Sequence, residues 1–225
     1  MTVATIAQRV EAVRERIARA CDRSARSPDE VTLVAVCKGF PPQAIREAVD
    51  AGLRHFGENR VQEAEAKRPA LAGLPAGVVW HMVGHLQTNK VKTALNLFDI
   101  IQSVDSLHLA EAISQRAPRP VPVFLEVNLA GEATKYGFSA SELPAAAAAI
   151  ARLPNLDVRG LMTVAPLVHD PDEVRPLFRR LRDTARSLGL RELSMGMTDD
   201  FEVAVEEGAT HVRIGRAIFG ERRIA

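Results

Sequence analysis

Eight short apolar runs alternate with helix-like segments along the chain, and no linker or break in composition divides them. The runs lie at 31–37, 55–58, 78–84, 100–104, 121–127, 158–164, 192–195 and 211–214. Most are rich in β-branched residues and bounded by turn-forming ones, as strands buried on both faces require. Between them, Pro42 and Gly52 bracket one helix, and 59–68, 87–95 and 106–116 read as three more. Ser139-Ala-Ser-Glu142 is a capping-box pattern that opens an alanine-rich helix. Asp170 and Pro171 open another, whose Val174, Leu177, Phe178, Leu181 and Leu188 form one stripe, and a short helix starts at 199. Ahead of all these, Val3, Ile6, Val10, Val13 and Ile17 recur at helical spacing over 3–21. Strands alternating with helices imply a parallel sheet with helical crossovers. Eight such units in 225 residues fit an α/β fold of the (β/α)8 TIM-barrel type, with an extra N-terminal helix and residues 1–225 as a single domain. A doubly wound dinucleotide fold fits less well, because Cys37-Lys-Gly-Phe-Pro-Pro42 lacks the expected G-x-G-x-x-G.

Charge narrows the partners. Twenty-nine basic residues balance 28 acidic ones, with no basic block or arm of the kind that binds nucleic acid or an anionic membrane. No stretch approaches the roughly 20 apolar residues that cross a bilayer, and the N-terminus lacks a signal-peptide pattern. Cys21 and Cys37 offer neither a disulfide framework nor metal-ligand spacing. A cytoplasmic protein with no metal centre is the expectation.

Barrel chemistry sits at the C-terminal ends of the strands. Lys38 falls there, after the first run, in a chain that has only four other lysines: Lys67, Lys90, Lys92 and Lys135. An amine desolvated against a buried strand is expected to lose basicity and become a nucleophile toward carbonyls. The alternative is a lysine that caps the strand and reaches water. At the other end of the chain, Gly215 follows the last strand, where backbone N–H groups of 215 and 216 at a helix N-terminus suit an anion. Thr198, after the seventh strand, adds a hydroxyl, and barrels commonly hold phosphate after strands 7 and 8. Taken singly, Gly215 could serve close packing and Thr198 an N-cap. Asp199 and Asp200 must face away from such an anion. Lysine and phosphate cradle together suit a phosphorylated aldehyde, either pyridoxal 5′-phosphate (PLP) or a sugar phosphate. Arg213 separates these, since a fixed cation can face a pyridine nitrogen and has no place in an aldolase.

Five ordered motifs cover most of the chain: Val34-Ala-Val-Cys-Lys-Gly39, His55-Phe-Gly-Glu-Asn-Arg-Val-Gln-Glu63, Trp80-His-Met-Val-Gly-His-Leu-Gln-Thr-Asn-Lys90, Leu193-Ser-Met-Gly-Met-Thr-Asp-Asp-Phe201 and Val212-Arg-Ile-Gly-Arg-Ala-Ile-Phe-Gly-Glu-Arg222. Together they closely resemble the PLP homeostasis proteins. The resemblance implies a fold type III PLP-binding barrel similar to the N-terminal domain of alanine racemase. It also implies a carrier or regulator of PLP supply, with PLP-dependent apoenzymes as possible recipients and no established turnover; a monomer is the expectation. Carried over by position, Lys38 would form the Schiff base and Arg213 would face the pyridine nitrogen. Thr198 with the Gly215 and Arg216 amides would hold the phosphate, and Asn59, His81 and Met195 would line the ring or its 3′-oxygen side. Lys135 resembles a second lysine on a mobile segment, which would either receive PLP during hand-over or be a solvated loop lysine. Two positions depart from the family pattern: Thr198 stands for the usual Ser, and Arg216 for Ser or Thr, so a cation replaces a hydroxyl there.

Racemisation needs acid–base groups on both faces of the substrate carbon. In alanine racemase the second is a tyrosine from another domain, whereas the only tyrosine here is Tyr136. Three readings therefore compete: a PLP-binding and delivery protein, a PLP-dependent amino-acid racemase, and a cofactor-free Schiff-base lyase acting on sugar phosphates.

Overall fold

Thr5 starts the first helix. Its hydroxyl accepts the Gln8 N–H at 3.2 Å while the Gln8 side chain accepts the Thr5 N–H at 2.9 Å, a reciprocal cap. From there α1 runs over Ile6–Arg23 and buries Val10, Val13, Ile17, Ala20 and Cys21. The computed structural model describes residues 4–132 and 135–221. Val3 of the expected stripe, Ala133 and Thr134 beside Lys135, and residues 222–225 lie outside the described residues.

Eight parallel strands follow: β1 Thr32–Val36, β2 His55–Glu58, β3 Val79–Met82, β4 Ile100–Val104, β5 Val121–Glu126, β6 Leu156–Met162, β7 Glu192–Ser194 and β8 His211–Ile214. They pair in chain order, and β8 closes on β1 with Val34 opposite Arg213, so the expected barrel forms. Its crossovers are α2 Pro42–Asp50, α3 Val61–Lys67, α4 Val91–Leu97, α5 Leu107–Arg116, α6 Leu143–Ile150, α7 Arg175–Ser187 and α8 Phe201–Glu206, and α9 Arg216–Phe219 follows β8.

Several helix ends shift by a few residues from expectation, α4 to Val91–Leu97 and the start of α8 to Phe201 among them, and three of the differences have identifiable reasons. β6 starts at Leu156, before the apolar run, because Asp157 and Arg159 mask the strand while pairing with each other at 2.8 Å. The Ser139–Glu142 box forms, yet α6 begins only at Leu143. Pro144 has no N–H to bond Ala140, so the first turn cannot be regular helix. Asp170 caps a 3-10 turn over Pro171–Val174, and α7 proper follows it.

Side chains alternate between two environments. Ala35, Phe56, Met82, Ile101, Leu125, Leu161, Leu193, Val212 and Ile214 join the helices in one apolar cluster outside the sheet. Fully burying a side chain such as Phe56 or Ile101 stabilises the fold by about 1.5–3 kcal/mol. The interior is more polar: Ser194 on β7 donates across the barrel to Gln102 on β4 at 2.6 Å. Gly160 marks the tightest contact between strands, since a Cβ there would lie 1.9 Å from the Glu192 carbonyl oxygen.

Candidate functional site

β1 ends at Val36, so Cys37 and Lys38 leave the sheet in a turn closed by the Phe40 N–H to the Cys37 carbonyl at 3.1 Å. Gly39 makes that turn possible with φ +76°, which a side chain would strain. A second lysine holds both sides of the turn. Lys67, buried at the end of α3, donates to the Cys37 carbonyl at 2.8 Å, to Glu58 Oε1 at 2.6 Å, and pairs with Glu63 Oε1 at 2.7 Å. That same Glu63 oxygen accepts the Gly39 N–H at 2.5 Å. Residues 37 and 39 are therefore tied to one buried ammonium, and Lys38 projects from between them. Burial opposes the charge on Lys67, but its bonds to Glu58 and Glu63 outweigh this and raise its pKa. For Glu58, wholly buried, desolvation wins and pushes the carboxyl up, although Lys67 pulls the other way. Lys67 is thus a charged structural anchor, with its three donors used.

Arg213, on the strand next to β1, is buried in the barrel. It donates to Ser194 Oγ at 2.6 Å and to the Thr163 carbonyl at 2.8 Å, and among the described residues it forms no ion pair. Burial lowers its pKa to about 10 against the pull of Glu126 and Asp200, which leaves it a cation at neutral pH. Glu126, at the end of β5, is pushed to about 7 by burial and by Asp105, with Arg213 opposing.

Past β8, Gly215 lies against β1: a Cβ there would sit 3.2 Å from the Val36 carbonyl oxygen. α9 starts at once, and the first N–H groups of any helix lack intrahelical partners. The third of them, on Ala217, reaches Thr198 Oγ1 at 3.4 Å. Thr198 therefore belongs to the α9 terminus, while Asp200 holds the N-cap position of α8. Both aspartates are engaged by other protein groups. Asp199 pairs with the exposed Arg216 side chain, and Asp200 is buried, accepting the Met197 N–H at 2.5 Å. Arg216 can thus offer its backbone amide, but its guanidinium is occupied by Asp199.

Lys38, Arg213, Thr198, Gly215 and Arg216 thereby gather on the C-terminal ends of β1, β8 and β7, three neighbours in the barrel. Asn59, after β2, lines an adjoining open cleft of about 610 Å³ with His85, Lys90 and Tyr136. Gly84 lets the loop after β3 press on Asn59, whose carbonyl oxygen would stand 2.4 Å from an added Cβ. In that cleft Tyr136 stacks flat on His85, with ring centroids 3.7 Å apart, and His85 bonds Asp105 at 2.8 Å. Lys135 pairs with Glu132 at 2.6 Å, on a loop tied down by Asn128. The two other residues expected to line the ring, His81 and Met195, are both buried among protein groups. His81 is fully buried, with both ring nitrogens engaged by His55 and Gln102. Met195 is fully buried in the apolar cluster between sheet and helices, because Ser194 takes the inward position beside it.

The family model for the alanine racemase N-terminal domain matches residues 9–223. The pyridoxal phosphate homeostasis protein of Aquifex aeolicus is 44% identical over 225 residues, covering 96% of this chain and 98% of that protein. Its namesake from Pseudomonas aeruginosa is also 44% identical, covering 98% and 97%. The chain belongs to the pyridoxal phosphate homeostasis protein family. Among solved structures, PipY of Synechococcus elongatus PCC7942 with PLP bound superposes with a TM-score of 0.85 at 41% identity, covering 96% of this chain and 100% of that one. Sequence reading missed the Lys67–Glu58–Glu63 anchor beneath the Lys38 turn, and Gln102 and Glu126 in the polar surroundings of Arg213. Glu63 and Lys67 did carry a signal, an i,i+4 pair beside the motif that holds Asn59.

Proposed function

We propose that this chain binds PLP covalently through Lys38 and keeps it available to the cell's PLP-dependent apoenzymes, with no turnover of its own. Bound PLP supplies an aldehyde carbon open to attack by an amine and an electron-withdrawing pyridine ring. Lys38 Nζ is the amine. Thr198 Oγ1 and the Gly215 and Arg216 N–H groups are donors suited to a phosphate, with no carboxylate left free beside them. Arg213 suits the ring nitrogen, because a neighbouring cation disfavours a second positive charge there. Asn59 serves the 3′-oxygen side, and His81 and Met195 support the site without touching the ring.

The observation that carries this reading is a buried guanidinium, bonded among the described residues only to neutral acceptors, on the strand adjacent to the Lys38 turn. A sugar-phosphate lyase has no use for it. The racemase reading lacks support, since the one tyrosine is 56% exposed and stacked on His85 in the outer cleft. The protein acts as a single domain and a monomer in the cytoplasm. No helix among the described residues is long and apolar enough to cross a membrane. After PLP is added to the purified protein and the unbound cofactor removed by gel filtration, the protein should retain a visible absorption band that Lys38→Ala abolishes. A protein that elutes without a visible band, or a band unchanged in Lys38→Ala, refutes the proposal.

A further inference from the structure

Arg213 ends a chain of hydrogen bonds that crosses the barrel. Its Nη1 donates to Ser194 Oγ at 2.6 Å, and Ser194 Oγ donates to Gln102 Oε1, also at 2.6 Å. Gln102 Nε2 lies 2.9 Å from His81 Nδ1, and His81 Nε2 lies 3.0 Å from His55 Nδ1. Ser194, Gln102 and His81 are wholly buried. His55 is half-buried and borders an open groove of about 570 Å³ with Ile17, Leu33 and Gly52, at the end of the barrel away from Lys38.

One member sets the direction of every bond. A guanidinium only donates, so Ser194 Oγ must accept from it. The Ser194 proton then needs an acceptor, and Gln102 Oε1 is the one within reach. That orientation turns the amide NH₂ toward His81, whose Nδ1 must accept. A neutral imidazole with an accepting Nδ1 carries its proton on Nε2, and this donates to His55 Nδ1. His55 in turn holds its proton on Nε2, toward the groove. Both rings are held neutral: burial disfavours a charge on each, and at His81 the neighbouring His211 and His55 add to the effect.

We infer that Ser194, Gln102, His81 and His55 form a one-directional relay of positioning residues that orients the Arg213 guanidinium toward the cofactor ring, with both histidines fixed in the Nε2–H form. The inference rests on the reading of Arg213 as the group that faces the pyridine nitrogen. A buried cation without a carboxylate partner depends on the aim of its neutral acceptors, and Ser194 can aim at Arg213 only while Gln102 takes its proton. The relay also gives His55, at the opposite end of the barrel, a continuous connection to the cofactor site.

Two measurements test it. In cofactor-free protein labelled with ¹⁵N-histidine, His81 and His55 should each show an unprotonated Nδ1 and a protonated Nε2. Gln102→Glu presents two accepting oxygens, so His81 should gain a proton on Nδ1 and its nitrogen shifts should change accordingly. An Nδ1-protonated His81 in the unmodified protein overturns the assigned direction. In the PLP-loaded protein, Gln102→Leu should move the absorption band and weaken PLP retention by up to about tenfold, as expected when the hydrogen bond that aims Ser194 is lost, with mass spectrometry still placing the adduct on Lys38. A band and affinity unchanged in both Gln102 variants refute the positioning role. Should PLP fail to modify Lys38 in the unmodified protein, the PLP reading fails, while the nitrogen shifts still decide the direction of the relay.

Discussion

Replacing Lys67 by Met removes the anchor beneath the Lys38 turn and leaves the fully buried Glu58 carboxylate without its cation. Among the described residues Glu58 Oε2 has no hydrogen-bond partner, so the other oxygen carries this group's hydrogen bonding, from Lys67 and from the Cys37 thiol at 3.2 Å. Breaking a buried ion pair by removing one member typically costs about 3–5 kcal/mol, a large share of the roughly 5–15 kcal/mol that holds a domain folded. Lys67→Met should therefore lose about 3–5 kcal/mol in urea unfolding at pH 7, followed through Trp80, the single, buried tryptophan. Adding Glu58→Leu should restore most of the loss, since apolar residues of similar volume often replace a buried pair at no cost. Exchange of the Gly39 amide should speed up in Lys67→Met, because Glu63 loses the cation that holds it against that N–H. A loss below about 1 kcal/mol, or a double variant no better than the single one, refutes the reasoning.

Glu126 makes a pH prediction. Its folded pKa of about 7 lies above its ordinary value of 4.5, so the folded state binds more protons between those limits and stability falls as pH rises through them. The difference in urea midpoint between Glu126→Gln and the unmodified protein should grow from about pH 4.5 to 7 and then level off; a constant difference contradicts the burial argument. Gly160→Ala should cost about 3 kcal/mol or more, because the added methyl meets the backbone of β7, and a variant of ordinary stability would show that β6 and β7 are not so tightly opposed.

Much of the fold was legible because period and punctuation are local properties. Eight apolar runs with turn residues between them admit few topologies; Lys38, Thr198 and Gly215 stand past the ends of runs, and Arg213 lies near the end of the last one. Their convergence follows from the barrel closing β8 onto β1. What escaped depends on contacts between distant segments. Lys67 looks like an ordinary helix-end lysine until α3 packs it under the β1 turn. The surroundings of His81 and Met195 are also set at long range: Ser194 bonds across the barrel beside Met195, and His55 with Gln102 engages His81. The Arg216 side chain escaped for a similar reason, because Asp199 claims it.

The central claim is that Lys38 carries the cofactor. Incubation with PLP, reduction with borohydride and peptide mass spectrometry test it most directly. A pyridoxyl-phosphate mass increment on the peptide containing Lys38 is the predicted result. An increment confined to Lys135 or to another lysine, with Lys38 unmodified, would contradict the account.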